Sequence, residues 1–120
     1  MRIGSVVLNV DNLPRAMDFW TRALHYVPRE PPEDGWVVLT PAHGHGPNLS
    51  LNLSTSPPPA LPHTHLDLYP DPGSDSDQEV RRLLDLGAQR VDWPHHPEDG
   101  DFTVLSDPCG NRFCVIDTRH

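Results

Sequence analysis

Asp107-Pro108-Cys109-Gly110-Asn111-Arg112-Phe113-Cys114-Val115-Ile116 is the stretch that decides the fold of this chain. Pro108 holds φ where the second position of a turn needs it, and Gly110 supplies the positive φ that a side chain resists. The residues that follow, Arg112 to Ile116, are rich in the aromatic and β-branched types that suit a strand. A turn therefore feeds straight into an apolar strand, which is how a hairpin closes.

The pattern has a partner upstream. Trp36-Val37-Val38-Leu39-Thr40-Pro41 resembles Phe102-Thr103-Val104-Leu105-Ser106-Asp107-Pro108. Outward from these segments the chain reads as two halves of like order, flanking a breaker-rich linker at 56–62. Unit one covers about 1–55. Its first strand spans Ile3–Val10, then Asp11 or Asn12 caps a helix whose first turn accepts Pro14. Leu13, Ala16, Met17, Trp20 and Leu24 recur at helical spacing. Strands follow at Tyr26–Arg29, Trp36–Thr40 and Leu49–Ser54. Unit two covers 63–120. Its strand His63–Tyr69 precedes a helix with Ser76 and Glu79 as a capping box and Gly87 as its stop. Val80, Leu83 and Leu84 make the apolar stripe. Strands are expected at Gln89–Trp93, Phe102–Leu105 and Arg112–Asp117. Each half is thus a βαβββ unit, and the class is α+β.

The chain has 120 residues, 36% of them hydrophobic and only 7% aromatic, with 15 prolines, so it holds one lean, loop-rich core. Net charge is −8 with neutral histidines, which argues against nucleic acid or an anionic membrane surface as partner. All nine basic residues are Arg, which excludes a Schiff-base lysine. No apolar run of ~18 residues exists to span a membrane. Met1 to Val7 leads directly into a strand pattern with no room for a signal peptide, so a cytoplasmic location is expected. Cys109 and Cys114 are then thiols rather than a disulfide. The Asp-rich segment at 71–77 lacks the downstream Gly and Glu of a calcium loop and reads as solvated.

Side chains alternate along strands, so each strand has an apolar and a polar face. On the fifth strand Leu66 and Leu68 oppose His63, His65, Asp67 and Tyr69. On the last, Phe113 and Val115 oppose Arg112, Cys114 and Ile116. The apolar faces pack on the helices, and the polar faces meet either water or a cleft. His43, His45, His95 and His96 lie in loops rich in Gly or Pro and read as solvated. His25 sits where the first helix ends and is structural. Trp36 and Phe102 occupy equivalent places in the repeat and read as core. Trp93 and Arg112 are candidate ligand contacts.

The Asp-Pro-x-Gly-Asn turn with its apolar strand, and the repeated unit, resemble the glyoxalase/bleomycin-resistance/dioxygenase superfamily, whose fold is the vicinal oxygen chelate. The resemblance covers essentially the whole chain. It implies two βαβββ units curled into a half-barrel cleft, pairing as a homodimer, with a small-molecule ligand. It also implies metal ligands on the first and last strands of each unit. Those positions are Ser5, Asn52, His65 and Cys114. Ser5 and His65 lie 60 residues apart, and Asn52 and Cys114 lie 62 apart. Members that bind metal use His and Glu here, and where this chain has Cys114 the family often has Glu. Only His65 is a usual ligand. A His65/Cys114 pair falls short of the three protein ligands of catalytic zinc, and His63 is the available third. A divalent metal is therefore disfavoured, and the cofactor is unknown. Three functions follow from the resemblance. One is binding or sequestering a small metabolite or antibiotic, with Ser5, Asn52, His63, Trp93, Arg112 and Cys114 at the ligand. Another is a metal-dependent lyase or dioxygenase built on His65. The third is a metal-free enzyme with His65 as general acid and base. Asp67 shares a strand face with His65, so it orients that ring only if the strand bends. Cys114 activated by His65 is a further option, set against a residue that merely packs.

Overall fold

The computed structural model describes residues 1–60, 62–92 and 100–119. The chain forms two compact units, Met1–Pro58 and Pro59–His120. Unit one holds β1 (Ser5–Val10), α1 (Leu13–Leu24), β2 (Tyr26–Pro28), β3 (Trp36–Pro41) and β4 (Asn48–Leu53). Unit two holds β5 (Leu66–Leu68), α2 (Ser76–Asp85), β6 (Gln89–Arg90), β7 (Phe102–Ser106) and β8 (Arg112–Ile116). Each unit is a βαβββ motif around one four-stranded sheet, in the orders β1-β4-β3-β2 and β5-β8-β7-β6.

In unit one the cap is Asn12, whose side-chain oxygen accepts from the Arg15 N–H, with Pro14 in the first turn. The buried stripe of α1 is Leu13, Ala16, Phe19, Trp20 and Ala23. Phe19 and Ala23 take the place expected for Leu24, because the helix turns its wider aromatic side onto the sheet. Val37, Leu39, Leu49 and Leu51 supply the facing apolar layer, all buried. The helix ends with His25 in the left-handed region, its N–H donating to the Thr21 carbonyl.

In unit two the cap falls one residue earlier than the sequence suggested. Asp75, not Ser76, accepts from the Gln78 N–H at 2.9 Å. At the other end Gly87, at φ 118°, lets Gly87 and Ala88 donate back to the Leu84 and Leu83 carbonyls. Val80 and Leu83 are the buried side of α2, and Phe113, Val115 and Leu105 are buried in the sheet.

The opening hairpin is a five-residue loop between the paired residues Ser106 and Arg112. The Gly110 N–H donates to the Asp107 carbonyl at 2.9 Å and the Asp107 N–H to the Asn111 carbonyl at 2.8 Å. Gly110 sits at φ 91°, a conformation natural to glycine. The β5 strand is shorter than the expected span from His63 to Tyr69. Among the described residues it is an edge strand paired with β8 alone, with Pro62 before it and Pro70 after it to interrupt a ladder. Both cysteines are buried, and neither is in a disulfide. No helix among the described residues is long and apolar enough to cross a membrane.

Candidate functional site

Unit two presents a cavity of about 430 Å³ on the sheet face turned away from α2. The pleat builds it. His65, Asp67 and Tyr69 alternate along one side of β5 and its approaches; Arg112, Cys114 and Ile116 do so on β8, and Phe102 and Val104 on β7. The parallel β5–β8 ladder sets Asp67 directly beside Cys114. The antiparallel β7–β8 ladder sets Phe102 beside Ile116 and Val104 beside Cys114. Apolar walls thus surround a small polar cluster, the usual make-up of a small-molecule site.

At that cluster His65 Nε2 lies 3.0 Å from Asp67 Oδ1. A carboxylate can only accept, so Nε2 is the donor to ionised Asp67, and in a neutral ring Nδ1 then keeps the lone pair. No bend in the strand is needed, against the sequence expectation. Two residues on one strand face are near enough for a His and an Asp to meet. One donor atom each from His65, Asp67 and Cys114 lies within 4.8 Å of the others. The side chains of His65 and Asp67 are 44% and 49% exposed, whereas Cys114 is buried. Burial, and after it the charge of Asp67, push the Cys114 thiol from the ordinary 9.0 up to about 11. Cys114 is therefore a neutral thiol at neutral pH, not a poised nucleophile.

The sign of that shift gives two expectations. Folded protein holds the thiol protonated where unfolded chain would ionise, so this contribution to stability is intact below pH 9.0 and drains away as pH climbs to about 11. At neutral pH, iodoacetamide should modify Cys114 roughly 100-fold more slowly than an exposed thiol, because two pH units cut the thiolate fraction by that factor. Peptide mapping over a pH series reads this, and rapid neutral-pH alkylation would contradict it.

The structure brings His65, Arg112 and Cys114 to one cavity and adds Asp67, Tyr69, Asp101 and Phe102. His63 is exposed and is not among the residues lining that cavity. Trp93, with His95 and His96, lies outside the described residues. Ser5 and Asn52 are in unit one. The Ser5 and Ser50 hydroxyls are 2.6 Å apart, and Asn52 Nδ2 donates to Asn9 Oδ1 at 3.1 Å. Ser5 stands opposite Asn48, four residues along the ladder from the Asn9–Asn52 pair.

Those ladders correct the assignment of Asn52. With Ser5 matched to His65, Val7 matches Asp67, and Val7 pairs with Ser50 as Asp67 pairs with Cys114. With Trp36 matched to Phe102, Val38 matches Val104, and these again pair with Ser50 and Cys114. Ser50 is the counterpart of Cys114, and Asn52 that of Ile116. By these registers Ser5 and Ser50 in unit one correspond to His65 and Cys114 in unit two. Within unit one the two hydroxyls are bonded to each other, and neutral hydroxyls are poor ligands for a divalent metal.

Trp36 and Phe102 also depart from expectation. Trp36 is 40% exposed and Phe102 lines the cavity. They pair with Asn52 and Ile116, which puts both on the face opposite the helices. An aromatic residue in a strand has the same sequence signature whichever face it occupies. Asp101, immediately before β7, carried no sequence signal at all.

A glyoxalase-like domain model matches residues 5–116. Among curated proteins, no sequence matches the chain. Among solved structures, the chain is similar to a possible glyoxalase from Bacillus cereus, at 16% identity and TM-score 0.72, covering 97% of this chain and 98% of that one. It is also similar to a genomically encoded fosfomycin resistance protein from Listeria monocytogenes, solved as a mutant with Mn(II) and 1S,2S-dihydroxypropylphosphonic acid. Identity is 15% and TM-score 0.73, covering 96% and 90%. A glyoxalase/bleomycin resistance protein/dioxygenase family enzyme from Burkholderia phytofirmans gives 15% identity and TM-score 0.71, covering 96% and 97%. At these identities the likeness is one of fold, the vicinal oxygen chelate fold.

Proposed function

The chain belongs to the glyoxalase-like domain family, and from that premise we propose that it binds a small molecule in the cavity of unit two. The observation that carries this reading is the cavity itself, about 430 Å³ with apolar walls and a few convergent polar groups. Phe102, Val104 and Ile116 take the apolar body of the ligand. The His65–Asp67 pair and Arg112 face its polar end. The Listeria protein of like fold holds a small phosphonic acid, which supports a compact ligand with a polar head. Binding in this cavity asks nothing of the Ser5–Ser50 pair. The bleomycin-resistance-like role of sequestering an antibiotic or metabolite is the simplest form of this reading.

A catalytic form is favoured by one observation, the 3.0 Å contact that fixes the His65 ring. With Nε2 donating to Asp67, Nδ1 is the atom that would take a proton from a bound substrate. This form needs no metal.

Anilinonaphthalene sulfonate, an apolar body with an anionic head, is the probe for the binding reading. The folded protein should take up one equivalent, read by fluorescence titration. Ile116→Trp, which fills the cavity from β8, should weaken that binding at least tenfold, a loss of ~1.4 kcal/mol. Unchanged affinity in a folded Ile116→Trp variant would remove the cavity as the site.

A further inference from the structure

We propose that His65, Asp67 and Cys114 form a site for a zinc-class divalent ion, held by unit two alone. This goes beyond the binding reading and does not depend on it. It also differs from the pattern that the family resemblance implied, which draws ligands from both units. Here the unit-one positions are closed by the Ser5–Ser50 contact at 2.6 Å, and a residue of β5 outside that pattern, Asp67, completes the set.

The geometry carries the assignment. The three donor atoms lie within 4.8 Å of one another. Tetrahedral zinc, with bonds of ~2.0 Å to N or O and ~2.3 Å to S, sets its ligand atoms roughly 3.3–3.7 Å apart. His65 Nε2 and Asp67 Oδ1, at 3.0 Å, are a few tenths of an ångström short of such an edge, and the ion would replace the proton that now joins them. Drawing the set together takes movement of about an ångström. The half-exposed side chains of His65 and Asp67 can make it without disturbing the core. Cys114 is the fixed post, on β8 between β5 and β7, and it lines the cavity.

The donor types choose the ion. A thiolate with an imidazole suits zinc or cobalt and disfavours magnesium, calcium and manganese, which prefer all-oxygen sets. Three protein donors leave a fourth position open to water, the arrangement of a catalytic rather than a structural zinc site. On binding, the ion displaces the proton from the Cys114 sulfur and the one shared by His65 and Asp67.

Cobalt(II) added to the full-length protein tests this directly, because a thiolate ligand gives a near-ultraviolet charge-transfer band and a tetrahedral site gives intense visible bands. One equivalent should produce both, and zinc should displace it. Cys114→Ser should abolish the charge-transfer band while Cys109→Ser and His63→Ala keep it. His65→Ala and Asp67→Ala should each weaken binding by at least roughly tenfold. Absence of both bands in the unaltered protein at excess cobalt would overturn the site, and would leave His65 to the metal-free role. A band that survives Cys114→Ser, or that ignores Asp67→Ala, would overturn it equally. The anilinonaphthalene sulfonate titration of metal-free protein reads the cavity separately, so either idea can fail alone.

Discussion

Asp107→Ala is expected to lower stability by about 3 kcal/mol or more, although residue 107 touches no ligand. Asp107 is 2% exposed. Its Oδ1 accepts from the backbone N–H of Cys109 at 2.9 Å and of Asn111 at 2.8 Å. Oδ2 accepts from Asn111 Nδ2 at 3.2 Å. Alanine would remove the acceptor from one buried donor, the Cys109 N–H, and from the two part-buried donors of Asn111, at ~1–3 kcal/mol for each buried group left unsatisfied. Asp107→Asn keeps one acceptor oxygen but turns an amide towards donors, so it should recover only part of the loss. Urea denaturation followed by circular dichroism measures both. A cost under about 1 kcal/mol for Asp107→Ala would mean that the turn is held by Pro108 and Gly110 alone. The effect bears on function because this loop sets the β7–β8 register, which places Cys114 beside Val104 and Ile116 beside Phe102.

Trp20→Ala should cost ~3–5 kcal/mol, the range for removing a large buried aromatic. The ring is fully buried and meets Phe19 edge to face, with centroids 5.0 Å apart and planes at 89°. The loss is therefore area, cavity and an aromatic contact together. Against a domain stability of ~5–15 kcal/mol this is a large fraction. Trp20→Phe should recover much of it. The denaturation curve carries a second reading. Trp20 lies in unit one, so a single sharp transition at lower urea would show that the two units unfold together. A split transition, with unit two holding its midpoint, would show that they do not. A Trp20→Ala variant with an unchanged midpoint would contradict the core described for unit one.

The turn, both helices and the order of the strands were legible because each rests on local chemistry. Pro108 and Gly110 specify their turn through φ, Asn12 specifies a cap through a side-chain oxygen, and Gly87 specifies a stop through a left-handed backbone. These effects act within a few residues. The alternation of His65, Asp67 and Tyr69 against Leu66 and Leu68 is equally local, and it places three cavity-lining residues on one face. The first helix shows the limit of this. Its apolar period was clear, but Phe19 and Ala23 rather than Leu24 enter the core, since the rotation of a helix about its axis is set by what it packs against.

The site is where local chemistry stopped. Asp67 looked poorly placed to serve His65, yet it is the residue that joins His65 to Cys114. The join depends on a ladder between β5 and β8, which are 47 residues apart at the Asp67–Cys114 pair. A register shift of one residue would send either side chain to the other face, and nothing in the intervening sequence encodes that number. The same holds for Ser50, which a repeat offset overlooked and two ladders identify. Trp36 and Phe102 were misread for a related reason, because hydrophobicity marks a residue that avoids water without saying which face shelters it. By itself, then, the sequence determined the two βαβββ units, their caps and turns, and the membership of each strand face, all short-range consequences of φ preferences and side-chain period. Only the tertiary structure decided which faces meet, because pairing between distant strands is set by the packing of the whole sheet, and that pairing is what gathers His65, Asp67 and Cys114 at one cavity.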